Sequence, residues 1–503
     1  MFATTFRLLS FILVFSIWIP FSSAGSLSCA DGQPTRVLAL VDVIHHSLCN
    51  NPQTREAWAN ARYQAAQVGV AESAYLPSLN LSGSVSRNQS GAVAERYNQT
   101  SATLSLSYLL TDFGGRDAAL ESARQVMFAA NATENATLQA VYFSAVQAYF
   151  RWYAAQAVLV AAHEAERASL ESFKAANARY LVGVATPADK LQAQTAASQA
   201  TLTRIRAEGD LKAAQGVLAT VMGFDANQAL NMAPPPDLNS SVSSSKNAGV
   251  GANLNSNSNL NALPSLQFED DVNRLINEAK RTRPDLVAGE AQVLAAEAGI
   301  SSARAAGRPS VSLFANRNFS DTSVSDTNRS TAVGVSVNIP LFSGFSTTYR
   351  VRAAEAQLET KRAQRDKLAQ QVSLDVWQAY YALLTEGQAV RASKDLLASA
   401  DQSAKVAFGR YKAGVGGILD VLNAQSALAN ARQQEIQSAY SWRIARVALA
   451  QAVGRLELSL LTPTNQSGEL GEMGELGEIS TPSIPTLPTL PPNKSHIETV
   501  PKE

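Results

Sequence analysis

The sequence predicts a mainly α fold with β, built as two copies of one unit that each carry a single β-hairpin and one very long helix. Three observations lead there. Two stretches about 231 residues apart repeat each other: Arg179-Tyr180, Gly183-Val184, Asp189, Leu191 and Ala193-Gln194 return as Arg410-Tyr411, Gly414-Val415, Asp420, Leu422 and Ala424-Gln425. The match extends to Gln147-Ala148-Tyr149 with Gln378-Ala379-Tyr380, to Gly223 with Gly454, and to Pro52 and Pro77 with Pro284 and Pro309. Second, each copy holds segments of strict apolar–polar alternation, the period of a strand with one greasy and one wet face. Third, each copy then runs for about 65 residues with hardly a helix breaker, a rod of about 100 Å at 1.5 Å per residue. So long a repeat is no solenoid period; it reads as pseudo-symmetry within one architecture.

At the N-terminus, Arg7 precedes an apolar run from Leu8 to Phe21 and the small residues Ser22, Ser23 and Ala24. That pattern reads as a cleaved secretory signal over 1–24. An N-terminal segment follows over 25–50. The two cysteines, Cys29 and Cys49, read in an exported chain as one disulfide tying this segment to the first helix. Lipid attachment at Cys29 is the alternative, with Ser26-Leu27-Ser28 a poor lead-in for it.

Repeat 1 spans 51–226. A helix over Val41–Leu48 stops before Pro52, and an Ala-rich helix over Arg55–Ala74 is closed by Pro77. The hairpin spans 77–110: Leu79, Leu81 and Val85 alternate with serines and Asn80, then Leu104, Leu106 and Tyr108 with Thr103, Ser105 and Ser107. The polar stretch Arg87–Thr100 reads as a loop, uncharacteristic of a tight hairpin. The long helix covers 115–180 and a return helix 187–222. Repeat 2, over 269–457, has the same order: helices at Asp270–Lys280 and Asp285–Ala306, a hairpin at 309–340 with a polar loop at Asn316–Ser330, a long helix at 345–412 and a return helix at 418–453. The two shorter helices of each copy, end to end, nearly equal one rod, so the body is expected to be a bundle of paired rods. Aromatics cluster mid-rod (Tyr142, Phe143, Tyr149, Phe150, Trp152, Tyr153; then Trp377, Tyr380, Tyr381), where extra chain is expected to pack. The Ser/Asn/Pro-rich inter-repeat region 227–268 and the tail 458–503 are the extra chain, both linker-like in composition.

Two arrangements fit the strands. A small sheet could lie on a helical domain with its apolar face in a core, or the hairpins could cross a bilayer with apolar side chains to lipid. Four strands cannot close a membrane barrel, and lipid tolerates no open edge. Membrane strands would therefore require oligomerisation: two chains give eight strands and a filled interior, three give twelve and a channel. Four rods per chain agree with three chains.

Only 17% of residues are charged and the formal net charge is zero, which leaves no basic surface for nucleic acid. His45, His46, His163 and His496 are scattered, and His163-Glu164 lacks the second histidine of a zinc helix. No serine elbow, phosphate loop or Cys/His metal spacing is present, so neither an enzyme nor a cofactor is expected. A soluble periplasmic coiled-coil scaffold is the competing class; it would come off membranes in salt.

The twin hairpin–rod–return layout and the doubled Arg-Tyr-x-x-Gly-Val … Asp-x-Leu-x-Ala-Gln sequence resemble the TolC family of outer-membrane exit ducts, over Val41–Leu456. Within that family, the paired N-terminal cysteines with Cys49-Asn50-Asn51-Pro52 most resemble the CyaE-like subgroup, which serves type I secretion of an adenylate cyclase–haemolysin toxin. The resemblance implies a homotrimer in the bacterial outer membrane, contacting outer-membrane lipid, with helices extending into the periplasm. It also implies a periplasmic adaptor (membrane fusion) protein and an inner-membrane ABC transporter or proton-driven pump as partners. Drug efflux is the alternative use.

Gly183 and Gly414 suit helix C-termini that need a left-handed residue, and Pro187 suits the start of the next helix. Tight turns alone would explain them. The resemblance implies adaptor docking at these tips, through Tyr180, Gly183, Val184, Tyr411, Gly414 and Val415. Asp189 and Asp420 favour a helix N-terminus in any case. The resemblance implies that Asp189, Asp420 and Asn423 belong to a periplasmic gate, with Asp420 forming an acidic ring. Relatives commonly carry a second acid where this chain has Asn423, and some an arginine latch where it has Gly416.

Overall fold

The structure, a computed structural model, describes residues 37–90, 93–233, 265–323 and 325–456. The leader expected at 1–24, Cys29, most of the inter-repeat region and the tail lie outside the described residues. The chain divides into two units; one, Leu238–Val250 with Glu457–Glu503, falls wholly outside them, and every element below belongs to the other.

Repeat 1 comprises α1 (Leu40–Asn50), α2 (Pro52–Ser73), β1 (Ser78–Ser90), β2 (Val93–Thr111), α3 (Gly115–Leu181) and α4 (Pro187–Val221). Repeat 2 comprises α5 (Ser265–Thr282), α6 (Pro284–Ala305), β3 (Ser310–Thr322), β4 (Ser325–Asn338), α7 (Ser346–Lys412) and α8 (Ile418–Val453). Both α3 and α7 contain 67 residues, about 100 Å of continuous helix.

Proline and asparagine set the breaks. Asn51 caps α2, its Oδ1 accepting from the Gln53 N–H at 2.9 Å, and Pro52 takes the first helical position, where no N–H is needed. Asn51 also donates through Nδ2 to the Val221 carbonyl at 3.0 Å, so the start of α2 abuts the end of α4. Gly223, with φ +80°, is pressed there so closely that a Cβ would sit 2.5 Å from the Asn50 carbonyl oxygen. The second repeat builds the same joint differently. Arg283 precedes Pro284, bridges Asp285 (2.6 Å) and Asp375 (2.8 Å), and packs on Gly454. Thr282 donates to the Val453 carbonyl at 2.6 Å. Each short pair is thus stacked end to end beside a long rod.

Long α3 is the keystone: it packs on α2 and α4 of its own repeat and on α6 and α8 of the other. Contacts are largely alanine on alanine, such as Ala129 and Ala132 against Ala288 and Ala291. Each such residue buries little area, so stability comes from length. Larger side chains concentrate at the waist, where α5 lays Ala279 against Val372 and Val376 of α7; a fully buried valine contributes about 1.5 kcal/mol. Extra chain does cover the aromatic band of repeat 1. Leu38 pairs in parallel with Met232, Leu38 N–H donates to the Asn231 carbonyl at 2.8 Å, and the Tyr153 hydroxyl donates to the Ala233 carbonyl. Tyr142, Tyr149 and Tyr153 are buried beneath, whereas Trp377 in repeat 2 stays half-exposed.

The four strands form one antiparallel sheet in the order β1-β2-β3-β4. Here the structure corrects the sequence reading. Arg87–Thr100 and Asn316–Ser330 are not long loops: pairing continues to Ser90↔Val93 and Thr322↔Ser325, so both hairpins turn tightly. Beyond the apolar band both faces of these strands are mostly polar, with Tyr97 and Phe319 as isolated exceptions, so the alternation that marks a strand vanishes although the ladder continues. The structure also decides between the two sheet arrangements. Leu81 (77% exposed), Val85 (78%) and Val333 (71%) have no layer packed on them, and no helix lies across the sheet among the described residues. A sheet packed on a helical core is excluded.

Candidate functional site

Two ends of the molecule carry chemistry. At the far end of the rods, α3 and α7 terminate in the same motif. Gly183 and Gly414 sit at φ +76° and +79°. Their N–H groups donate to the Tyr180 and Tyr411 carbonyls (3.0 and 3.1 Å), and those of Val184 and Val415 to Arg179 and Arg410 (2.9 and 3.0 Å). These are Schellman stops, which satisfy the last carbonyls and require a left-handed residue. On the other side of the turn, Thr186 and Asp189 form a reciprocal cap for α4. The Asp189 N–H donates to the Thr186 hydroxyl at 3.2 Å, and the Thr186 N–H and hydroxyl donate to Asp189 Oδ2 at 2.9 and 2.8 Å. Those two donors, the backbone one first, hold the Asp189 carboxyl below the usual carboxylate range. Asp420 makes the reduced version, accepting from Gly417 N–H at 3.3 Å. Both aspartates are therefore helix caps.

The tips share letters but not surroundings. Tyr180 is partly exposed with the Lys190 ammonium 5.1 Å from its ring centroid. Tyr411, grouped by sequence with the docking residues, is only 5% exposed. It packs with Ala176, Ala193, Ile418 and Val421, so it supports the tip from within and offers no docking surface. Across its ring lies Arg179, 4.2 Å from the centroid, whose Nη2 also donates to the Tyr411 carbonyl at 2.5 Å. One side chain of repeat 1 thus clasps the end of repeat 2. Nothing in the sequence distinguishes Arg179 from Arg410, so this clasp was not foreseeable.

Val184 and Val415 are exposed, with Leu181, Val182 and Leu419 beside them, giving each tip an apolar surface. Asp420 and Asn423 line an open groove with Gln402, Val406 and Arg410. A Cβ on Gly416 would come within 3.1 Å of Arg410 Cβ, so a latch side chain there needs the tip to shift. Part of the repeated motif is scaffold: Gln425 Nε2 donates to Ser172 Oγ at 2.9 Å, tying α8 to α3, and Ala193 is fully buried. Cys49 is disulfide-bonded, while Cys29 lies outside the described residues.

At the other end, one sheet face is a ladder of Ser, Thr and Asn, with Ser84–Ser101 at 2.8 Å and Thr103–Asn318 at 2.9 Å. The opposite face aligns Leu79, Leu106, Ala315 and Val333 across all four strands. From Leu79 to Val85 this apolar face of β1 rises about 15 Å at ~3.3 Å per residue and a tilt near 40°, within the ~25 Å apolar band of outer-membrane barrels. Where the sheet meets the helices, Phe113 and Phe345 adopt left-handed backbone (φ 55° and 64°) and expose their rings, with Phe342 and Tyr349 nearby. Such backbone costs about 1 kcal/mol or more outside glycine, and these rings sit where interfacial aromatics belong. Sequence reasoning missed this girdle, although Asp112-Phe113-Gly114-Gly115 and Phe342-Ser343-Gly344-Phe345 mark both places.

Residues 43–224 and 275–455 each match the outer membrane efflux protein family, one match per repeat. The chain belongs to that family. Among its relatives, Protein CyaE of Bordetella pertussis is 29% identical over 431 residues, 84% of this chain and 85% of that one. Outer membrane efflux protein BepC of Brucella suis is 26% identical over 430 residues, 84% and 87% of the two chains. The solved structure of the outer-membrane channel OprN superposes with a TM-score of 0.69 over 83% of this chain and 90% of its own, at 20% identity, a likeness of fold. This outer membrane efflux protein has a TolC-like channel fold and is placed in the outer membrane with its helices extending into the periplasm.

Proposed function

We propose that three copies of this chain close a twelve-stranded barrel continued by a helical duct, through which a tripartite assembly exports its cargo. The observation that carries this is the sheet: two unpaired edges, β1 and β4, and one bare apolar face. Lipid covers the bare apolar face but tolerates no unpaired edge, and edge-to-edge pairing of copies removes both edges. The apolar tips around Val184 and Val415 are the docking surface for a periplasmic adaptor, which joins the duct to an inner-membrane pump. Around the threefold axis Asp420 forms the acidic constriction, softened by Asn423.

Type I secretion of a haemolysin-like protein toxin is the cargo reading, supported by the likeness to CyaE. The Cys49-Asn50-Asn51-Pro52 motif adds little, because Asn51 is accounted for by capping α2 and holding α4. Drug efflux is the second reading, supported by the similar coverage of BepC, itself named an efflux protein. Deleting the gene and measuring supernatant protein beside drug susceptibility separates them: secretion predicts loss of one exported polypeptide with unchanged susceptibility, efflux the reverse.

A further inference from the structure

Each strand of the sheet carries one arginine and no lysine: Arg87, Arg96, Arg317 and Arg329. A channel lined for ion passage would turn such charges inward, to the polar face. The register places Arg87, Arg317 and Arg329 on the opposite face, and alternation from Tyr97 puts Arg96, which lies at a register shift, on the same side. Leu81 pairs with Leu104 and Leu104 with Arg317, so Arg317 shares the leucines' side; Phe319 pairs with Arg329, two residues further on. Arg87 follows Val85 on the same side of β1, and Arg96 bonds through Nε to Gln89 Oε1, also of that side, at 3.2 Å.

They lie one to three outward positions beyond the continuous apolar run of each strand. On β1 the apolar positions end at Val85 and Arg87 is the next outward residue. On β3 they run to Ala315, Arg317 is the next, and Phe319 follows it on the same face. On β4 they end at Val333, with Thr331 and then Arg329. On β2 Ala102 is followed outward by Thr100, Asn98 and Arg96. In register the boundary drops from β1 to β4, the stagger that tilted strands need to keep a feature at one height. The arginines thus crown the apolar band on the hairpin-turn side, remote from the helices, while the Phe113 and Phe345 girdle marks the opposite rim. All four are exposed, and none forms an ion pair among the described residues. The Arg329 guanidinium leans over the Phe319 ring at 5.7 Å, its stem along apolar surface and its charge directed outward.

We propose that these arginines form a lipid-facing belt, twelve per trimer, that binds the phosphate groups of the phosphorylated glycolipid in the outer leaflet. Guanidinium groups suit phosphate through paired N–H donors, and a basic side chain at an anionic membrane surface is worth about fivefold in binding. The proposal rests on the barrel reading above.

The test compares full-length wild type with R87Q/R96Q/R317Q/R329Q and with the matching quadruple Lys variant, each extracted from outer membranes in detergent. Retained lipopolysaccharide is quantified, and melting is followed on adding lipopolysaccharide, the same glycolipid stripped of phosphate, or inorganic phosphate. The belt predicts retention and a rise in melting temperature with the phosphorylated glycolipid alone, loss of both in the Gln variant, and partial recovery in the Lys variant. A membrane-inserted Gln trimer that retains wild-type lipid overturns the belt and leaves the barrel standing. Stabilisation of wild type by inorganic phosphate alone overturns the lipid assignment. Wild type that is not an outer-membrane oligomer overturns the barrel reading and the belt with it.

Discussion

Arg179→Ala should loosen the end of repeat 2 while leaving the rods intact. The side chain supplies one short charge-assisted hydrogen bond to the Tyr411 carbonyl, a longer one to Lys412 (3.4 Å), and a cation–π contact with the Tyr411 ring. Arg179 is half-buried, so the low end of each range applies: about 1.5 kcal/mol for the charged hydrogen bond and about 0.5 kcal/mol for the ring contact. A loss of about 2 kcal/mol is a roughly 30-fold rise in the opened population of the tip. Hydrogen exchange of the detergent-solubilised protein reads that directly, through peptides covering 405–420. Exchange there should quicken about 30-fold, while peptides from mid-α7 stay unchanged. Tyr411→Phe is the control: its buried hydroxyl has no partner among the described residues, so removing it should leave tip exchange as in wild type or slower. Unchanged exchange in the alanine variant would refute the clasp.

Three further outcomes follow from the geometry. Thr186→Ala should destabilise the start of α4 by about 1 kcal/mol, seen as faster exchange at the first tip only. In wild type the Asp189 contribution is fully present above the ordinary carboxylate pKa and is lost as pH falls through its lowered value; in the alanine variant, which keeps the backbone donor and loses only the hydroxyl, that acid-side loss should shrink. Val335→Arg, on the bare apolar face, should cost about 2–4 kcal/mol per chain if it sits at mid-bilayer, abolishing assembly in the outer membrane, whereas Ser336→Arg on the polar face should assemble. Val184→Asp with Val415→Asp should block export but leave a folded oligomer; normal export would remove these tips from adaptor docking.

Much of the architecture was written in local signals. Pro52, Pro187, Pro284 and the paired glycines set element ends through backbone geometry that needs no tertiary context. Alternation marked the strands wherever one face was apolar, and failed from Arg87 to Thr100 and from Asn316 to Ser330, where both faces are mostly wet and Tyr97 and Phe319 stand alone. The candidate site was half legible. Gly183 and Gly414 announced their turns, but the duplicated Arg-Tyr pairs hid that one tyrosine is exposed and the other buried. That difference arises only when α3 packs against α8 of the other repeat. The end-to-end joints tell the same story: Asn51 and Arg283 occupy equivalent places and solve one problem with unrelated chemistry, so comparing the repeats could not reveal it.

Everything turns on whether the β1 and β4 edges meet the edges of other copies. Single-particle imaging of the protein extracted from outer membranes answers this most directly. The expected result is a threefold particle whose barrel has twelve strands and whose helices continue its wall. A monomer retaining an open four-stranded sheet, or an eight-stranded barrel from two chains, would contradict the account.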